Sequence, residues 1–497
     1  MELSKKIQEL KDTGFFENLI IERGIEKESL RVSSNGNISE KNHPPSLGSS
    51  FTNSSITTDF AEALVEIVTP VFNDIDELYD HLFALHVFIN NNIGDELLWP
   101  FSIPPKIDNE SKINIATYSN NNNEGQLKHV YRKGLAARYG KTMQCVSGIH
   151  FNFSLSEDSM KDLIGSTSKE DVNSTYLNLI RNFKRIFWFV LSEFGESAVV
   201  DKTFVAGRKN DLDELNDTDL YKENATSLRM SEIGYKSPAQ ESMNIHYNDL
   251  DSFLEELRNG IVKPYPEFSA LGLKDDDGSY KQISDGILQI ENELYDCIRP
   301  KRAAQGNERP YDVLKNHGIK YVEVRGIDLS PYEITGISKN QIRILDLVLL
   351  YCLIEESPKI NDLELESINR NDQAVIKNGR DLDTKILYKK NEASLRDARN
   401  NIMQDLQTIA EQMKDKKYEI ALKDLKIKTN TFDRSKSFHE TGIEIAKDNH
   451  SKMLNMPEID TTTFQQQAKD SLKKFDIIHN NTIDEINDFL ASYNRNL

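Results

Sequence analysis

Gly148-Ile-His-Phe-Asn-Phe-Ser-Leu155 alternates polar and apolar residues throughout. Period two is the pattern of a β-strand with one buried and one open face, and it presents His150 and Asn152 together. Two later stretches read the same way: Ile287 to Tyr295, containing Gln289-Ile-Glu291-Asn-Glu293-Leu-Tyr295, and Ile319 to Leu329, containing Tyr321-Val-Glu323-Val-Arg325. Upstream, Gly24-Ile-Glu26-Lys-Glu28-Ser-Leu-Arg31 places two carboxylates on one face if extended. Thr57 to Pro70 embeds Asp59, Glu62 and Glu66 in an apolar run whose period fits either a strand or one face of a helix.

Helical spacing surrounds these strands. Ile75, Leu78, Leu82, Leu85 and Ile89 predict a helix over 75–91 with Asn73 as N-cap, and Leu179, Ile180, Phe183, Ile186 and Val190 predict another near 174–191. Strands and helices interleave irregularly, which predicts an α+β fold rather than repeated βαβ units. After about residue 380 the composition shifts to Lys, Asp, Glu, Ala and Leu. Ile402, Leu406, Ile409 and Met413 share a helical face, and Ile483, Ile486 and Leu490 repeat the pattern. The expected organisation is a body over 1–380 and a helical region over 381–497 packed on it, with no Gly/Ser or Pro-rich linker between them.

The 497 residues are 38% hydrophobic and 28% charged, an ordinary globular balance, and their formal charge of −19 argues against binding nucleic acid. The N-terminus lacks the apolar core of a signal peptide, and the apolar run Ile342–Ile354 carries Arg343 and Asp346 and is too short for a membrane span. No membrane association is expected. Cys145, Cys297 and Cys352 form neither a disulfide framework nor a zinc pair, which fits a reducing cytoplasm.

Gly134-Leu-Ala-Ala-Arg-Tyr-Gly140-Lys141-Thr142 imitates a phosphate-binding loop, but five residues separate its glycines where four are needed, and Leu135 occupies the glycine position. The carboxylates on strands are more informative. Clustered acids repel one another and burial raises the cost of ionising them, a penalty that a hard divalent cation such as Mg²⁺ relieves. A sheet face bearing Glu, Asp, His, Asn and Arg therefore reads as a metal–phosphate site. Taken singly, Glu26-Lys27-Glu28 is also the pattern of a solvated strand, His150 of a structural histidine, and Glu62, Glu291 and Glu293 of surface or ion-paired residues. Cys145 reads as a core residue.

Over roughly residues 15–380 the chain resembles the proteobacterial-type glutamate–cysteine ligases. The resemblance rests on GIEKESLRV (24–32), ITTDFAEALVEIVTP (56–70), DELLWPFSIP (95–104), VYRKGLAARYG (130–140), QCVSGIHFNFSL (144–155), ATSLRMSEIGY (225–235), QIENELYDCIRPKR (289–302) and YVEVRGIDLSPY (321–332). It implies a curved, largely antiparallel sheet forming a funnel with helices outside, similar to the catalytic domain of glutamine synthetases. It also implies ATP as co-substrate and Mg²⁺, or Mn²⁺ in its place, held by Glu26, Glu28, Asp59, Glu66, His150 and Glu323. Arg325 would contact the transferring phosphoryl group, while Arg132 and Arg229 would hold amino-acid carboxylates. Phe60, Tyr131, Leu135, Gln144, Tyr235 and Tyr295 would form the cysteine pocket, with some of these aromatics equally readable as core. The implied reaction joins L-glutamate to L-cysteine as the first step of glutathione synthesis, in a monomer open to feedback by glutathione.

Three positions depart from the family pattern: the loop Tyr118–Gly125 is one residue longer, Asp372 replaces a tryptophan, and Cys297 replaces a small residue. Rival readings are a ligase with another amine acceptor and a non-catalytic regulatory homologue. The second should have lost metal ligands, whereas every expected carboxylate is present.

Overall fold

The computed structural model describes residues 3–304, 308–456, 459–480, 486–495 and 497. Its central element is a seven-stranded sheet: β1 (Ile21–Val32), β2 (Ile56–Thr58), β3 (Leu64–Val68), β4 (Leu97–Leu98), β5 (Ile149–Leu155), β6 (Ile298–Lys301) and β7 (Tyr321–Ile327). The order is β2-β3-β1-β5-β7-β6, with β4 also on β1, and every pair is antiparallel. The expected α+β class with an antiparallel sheet is present.

Alternation along the strands divides the sheet into two faces. Ile25, Ile67, Ile149, Phe151, Phe153, Val322 and Val324 are fully buried on one face. Against it packs the helix Lys169–Phe194, which in turn meets the helix Lys339–Ile354, so the run containing Arg343 and Asp346 is a core helix. Strand and helix approach so closely at Gly326 that a Cβ there would lie 2.2 Å from the Phe187 ring. The opposite face carries the acids.

Several local readings need correction. Residues 57–70 form the hairpin β2–β3, and Asp59 and Glu62 lie in its connection. Ile287–Tyr295 is not a strand: it turns through a short 3₁₀ segment at Glu291–Glu293. The helix Ile75–Asn92 is capped by Asp74, whose carboxylate accepts from the Glu77 N–H, not by Asn73. In the charged region after 380, a hairpin of Lys385–Tyr388 and Asn391–Ser394 precedes the helix Leu395–Ala410. That helix buries Ile402, Leu406 and Ile409 in the same core as the sheet. Arg399 pairs with Glu193, and Tyr418 joins Arg23 and Asp346 in a buried network. Ile483 lies outside the described residues.

Candidate active site

Strand register assembles the polar face. Glu28 stands opposite Glu66 across β1 and β3, Glu26 opposite His150 across β1 and β5, and Glu323 opposite both Asn152 and Arg299. Register slips by one residue on β7 between Val324 and Ile327, a bulge beside Arg325; bulges bend a strand and re-aim its side chains. The acids line a cavity of about 800 Å³ that also includes Asp59, Arg229, Tyr235 and Tyr295.

Glu26, His150 and Glu323 form the tightest group: one potential ligand atom from each lies within 4.8 Å of the others. His150 Nδ1 is 3.2 Å from Glu26, and its Nε2 is 3.6 Å from Glu28. Asn152 donates to Glu26 at 2.9 Å, and the Gly148 N–H donates to Glu28 at 2.9 Å. Arg299 grips one Glu323 oxygen through two N–H groups at 3.0 and 2.7 Å, with Lys301 at 3.5 Å and Arg325 at 3.1 Å.

Their electrostatics separate into two groups. Burial and the nearby Asp59 push the Glu28 carboxyl up to about 8, and burial with Asp59, Glu26 and Glu28 pushes Glu66 well above the usual range. Burial alone would raise Glu323 too, but Lys301, Arg299 and Arg325 hold it well below. Glu26 also ends below its ordinary value, because the His150 hydrogen bond opposes burial. Burial and the Arg325 charge lower His150, favouring the neutral imidazole that a metal requires. Neutral imidazole nitrogen beside competing carboxylates suits a divalent cation, which would relieve the repulsion that raises Glu28 and Glu66.

The arginines are held at defined angles. Arg325 donates to the Tyr235 hydroxyl at 2.8 Å, and its backbone N–H bonds the Cys297 carbonyl. Arg229 is anchored by Asp328 at 2.7 Å, and its guanidinium passes so near Gly148 that a Cβ there would lie 3.0 Å from Nη1. Arg132 stacks over Tyr118 and donates to the Asp59 carbonyl. Beside Arg325 and Arg229, Tyr235 meets Tyr295 edge to face at 4.5 Å, and the Tyr295 hydroxyl donates to Gln144.

The glutamate–cysteine ligase family model matches residues 6–375. This chain belongs to the glutamate–cysteine ligase family. It is 43% identical to the glutamate–cysteine ligase of Hahella chejuensis over 373 residues, covering 74% of this chain and 71% of that one. The Shewanella halifaxensis glutamate–cysteine ligase is 37% identical and matches across 95% of both chains. Among solved structures, the Francisella tularensis glutamate–cysteine ligase in complex with AMP superposes with a TM-score of 0.91 at 32% identity, covering 96% of this chain and 98% of that one. A bifunctional glutathione synthetase from Pasteurella multocida shares the fold, with a TM-score of 0.65 at 22% identity over 95% of this chain and 57% of that one. Like other members of its family, the chain is a ligase.

The cavity gathers Glu26, Glu28, Asp59, Glu66, His150, Glu323, Arg325, Arg132, Arg229, Tyr131, Leu135, Gln144, Tyr235 and Tyr295. Phe60 is not on its surface: the ring is buried in an apolar cluster behind Tyr131 and Leu135. Glu291 and Glu293 are structural, paired with Arg309 and Arg138. Sequence reasoning did not single out Arg299, Lys301 and Asn292, or Phe489, Ser492 and Tyr493 near the C-terminus, all of which line the cavity. Arg299 and Lys301 sit two apart in the short strand β6, but Pro300 between them masks the strand pattern. The C-terminal residues carry none. Among the described residues, no helix is long and apolar enough to cross a membrane.

Proposed function

We propose that the chain joins the γ-carboxyl of L-glutamate to the amine of L-cysteine, converting ATP to ADP and phosphate through a γ-glutamyl phosphate. The observation that carries this is the Glu26–His150–Glu323 group beside Arg325, lining a cavity large enough for a nucleotide and two amino acids. Glu26, Glu28, Asp59, Glu66, His150 and Glu323 would hold Mg²⁺, or Mn²⁺ in its place. When bound, the metal would neutralise phosphate charge and allow two anions to meet.

The remaining work falls to the chain. A γ-carboxylate oxygen of glutamate attacks the γ-phosphorus and ADP departs; the cysteine nitrogen then attacks the acyl carbon and phosphate departs. Arg325, fixed by Tyr235 and Glu323, would meet the charge that gathers on the transferring phosphoryl group. Arg229, braced by Asp328, and Arg132 are suited to gripping amino-acid carboxylates. Tyr131, Leu135, Gln144, Tyr235 and Tyr295 offer the thiol an apolar, polarisable wall, with Phe60 supporting it from behind. Excluding water would protect the acyl phosphate from hydrolysis.

Residues 1–380 would be the catalytic body, with 381–497 packed on it. Glutathione, which contains both amino acids, would compete for their positions. Three unpaired, buried cysteines favour a cytoplasmic site of action, and we take the active form as a monomer.

The test is ADP release with Mg²⁺, ATP and glutamate, adding cysteine or other small amines in turn. Cysteine-dependent release with γ-glutamylcysteine in the mass spectrum is expected. Turnover with another amine alone would reassign the acceptor, and no turnover with any acceptor would overturn the enzyme reading.

A further inference from the structure

The helix Thr462–Asn480 lies beyond the range matched by the family model. Phe464, Ala468, Ser471, Phe475 and His479 recur every three or four residues along it and so share one face. That face docks through a line of anchors. Phe464 meets the rings of His81 and Phe88, on the helix Ile75–Asn92, at 5.3 and 6.0 Å. Ser471 comes next: its hydroxyl accepts from the Ser49 N–H at 3.0 Å, and its carbonyl accepts from the Thr52 hydroxyl at 2.5 Å. The fit is close at Gly48, where a Cβ would lie 2.9 Å from the Ala468 Cα. At the far end the His479 ring stacks on Phe475. The Asn121 amide donates to its Nε2 at 3.1 Å, and its Nδ1 lies 3.0 Å from the hydroxyl of buried Ser119.

The two loops held in this way converge on the cavity. The first leads from Ser49–Thr52 into β2 and Asp59, with the Thr57 hydroxyl donating back to the Ser50 carbonyl at 2.5 Å. The second runs through Asn122, which caps the helix Asn123–Tyr139, and that helix carries Tyr131, Arg132 and Leu135. Glu124 and Lys128 of the same helix, which pair at 3.5 Å, line the cavity too. Between the loops stands Tyr118. Its hydroxyl donates to the Thr58 carbonyl at 2.8 Å, and the Arg132 guanidinium lies 4.8 Å from the centre of its ring. Arg132 joins the two sides by donating to the Asp59 carbonyl, with Nη2 3.7 Å from the Asp59 carboxylate.

We propose that the helix Thr462–Asn480 sets Asp59 and Arg132 relative to each other, with His479 as a positioning residue for Arg132. The inference rests on the ligase reading, in which Arg132 holds an amino-acid carboxylate. His479 is not on the cavity surface and acts through the loop it binds. That loop begins at the tyrosine beneath the Arg132 guanidinium and ends at the cap of the helix that bears Arg132, so releasing it shifts both supports of one side chain. A guanidinium grips a carboxylate through two parallel N–H bonds, a geometry that a small displacement spoils. Arg299, Lys301 and Arg325, suited to phosphate, stand on β6 and β7, at the edge of the sheet opposite β2. Loss of the His479 contact therefore falls on an amino acid more than on ATP.

Cysteine-dependent ATP turnover of the unmodified enzyme is measured first; its absence would overturn the ligase reading, and this inference with it. Arg132→Lys, which loses the planar fork, then identifies the amino acid that this arginine holds by the larger rise in KM. His479→Ala should raise the same KM about tenfold, with KM for ATP changing less than about twofold. Combined with Arg132→Lys it should add less than about twofold to that KM, as expected of a residue that acts through another. Asn121→Ala cuts the same contact from an exposed position and gives the same reading if His479→Ala does not fold. Additive effects of the His479 and Arg132 substitutions, an unchanged amino-acid KM in either folded single variant, or an equal rise for ATP would each overturn the proposal.

Discussion

The two faces of β1 treat charge in opposite ways. Glu26 and Glu28 face the cavity, among partners that compete for them: His150, Asn152, the Gly148 N–H and neighbouring acids. Lys27, between them, points into the core. It is 4% exposed, and its Nζ donates at 2.7 Å to His86 Nε2, since His86 Nδ1 bonds the Leu82 carbonyl. Burial pushes Lys27 down to about 7 and, with the Lys27 charge, lowers His86 well below its ordinary value. On one face carboxylates compete at close quarters, with Glu26 and Glu323 held below their ordinary range and Glu28 and Glu66 pushed above it, a repulsion that a cation would relieve. On the other the Lys27 charge is disfavoured by burial, and its Nζ meets the His86 imidazole and the Ile334 carbonyl.

Breaking the cavity face should matter most. Glu26→Gln is expected to lower kcat about a thousandfold while the melting temperature holds, measured as cysteine-dependent ADP release. Arg325→Lys keeps the charge but loses the planar fork, and a fall of about a hundredfold in kcat is expected. Gly148→Ala would put its Cβ against the Arg229 guanidinium and displace the group proposed to hold an amino-acid carboxylate. About a tenfold rise in KM for glutamate is expected, with a smaller change in KM for ATP.

The core face should respond in stability, not in turnover. Lys27 has a depressed native pKa against an ordinary value of 10.5, so the unfolded chain binds more protons between about pH 7 and 10.5 and stability rises with pH across that window. Lys27→Met should flatten this slope. It should add about 1–4 kcal/mol near pH 7, a gain that disappears as the pH approaches 10.5, read from denaturant titrations. Unchanged slopes would mean that Lys27 does not differ from an exposed lysine.

The same contrast explains what could be read from sequence. Glu26, Glu28, His150 and Glu323 were legible because strict alternation gives a face to each residue. Asp59 and Glu66 were ambiguous, since their spacing fits helix and strand alike, and only the Glu28–Glu66 register decides it. Ile287–Tyr295 misled because a turn whose acids are bound by Arg309 and Arg138 imitates period two. Arg299-Pro-Lys301 went unread because proline argues against a strand; β6 tolerates Pro300 as the sheet's edge. Phe60 shows that an aromatic in a matching motif can serve the core. The C-terminal wall depends on contacts across hundreds of residues, such as Arg309 with Tyr493, which no local pattern records.

Mn²⁺ binding tests the central claim, that the acidic sheet face is a metal–phosphate site, most directly. Electron paramagnetic resonance titration of the unmodified chain and of Glu26→Gln, each with and without ATP, would measure it. The account predicts binding that tightens with ATP and weakens at least about tenfold in the folded variant. Equal Mn²⁺ affinity in the two proteins would contradict it.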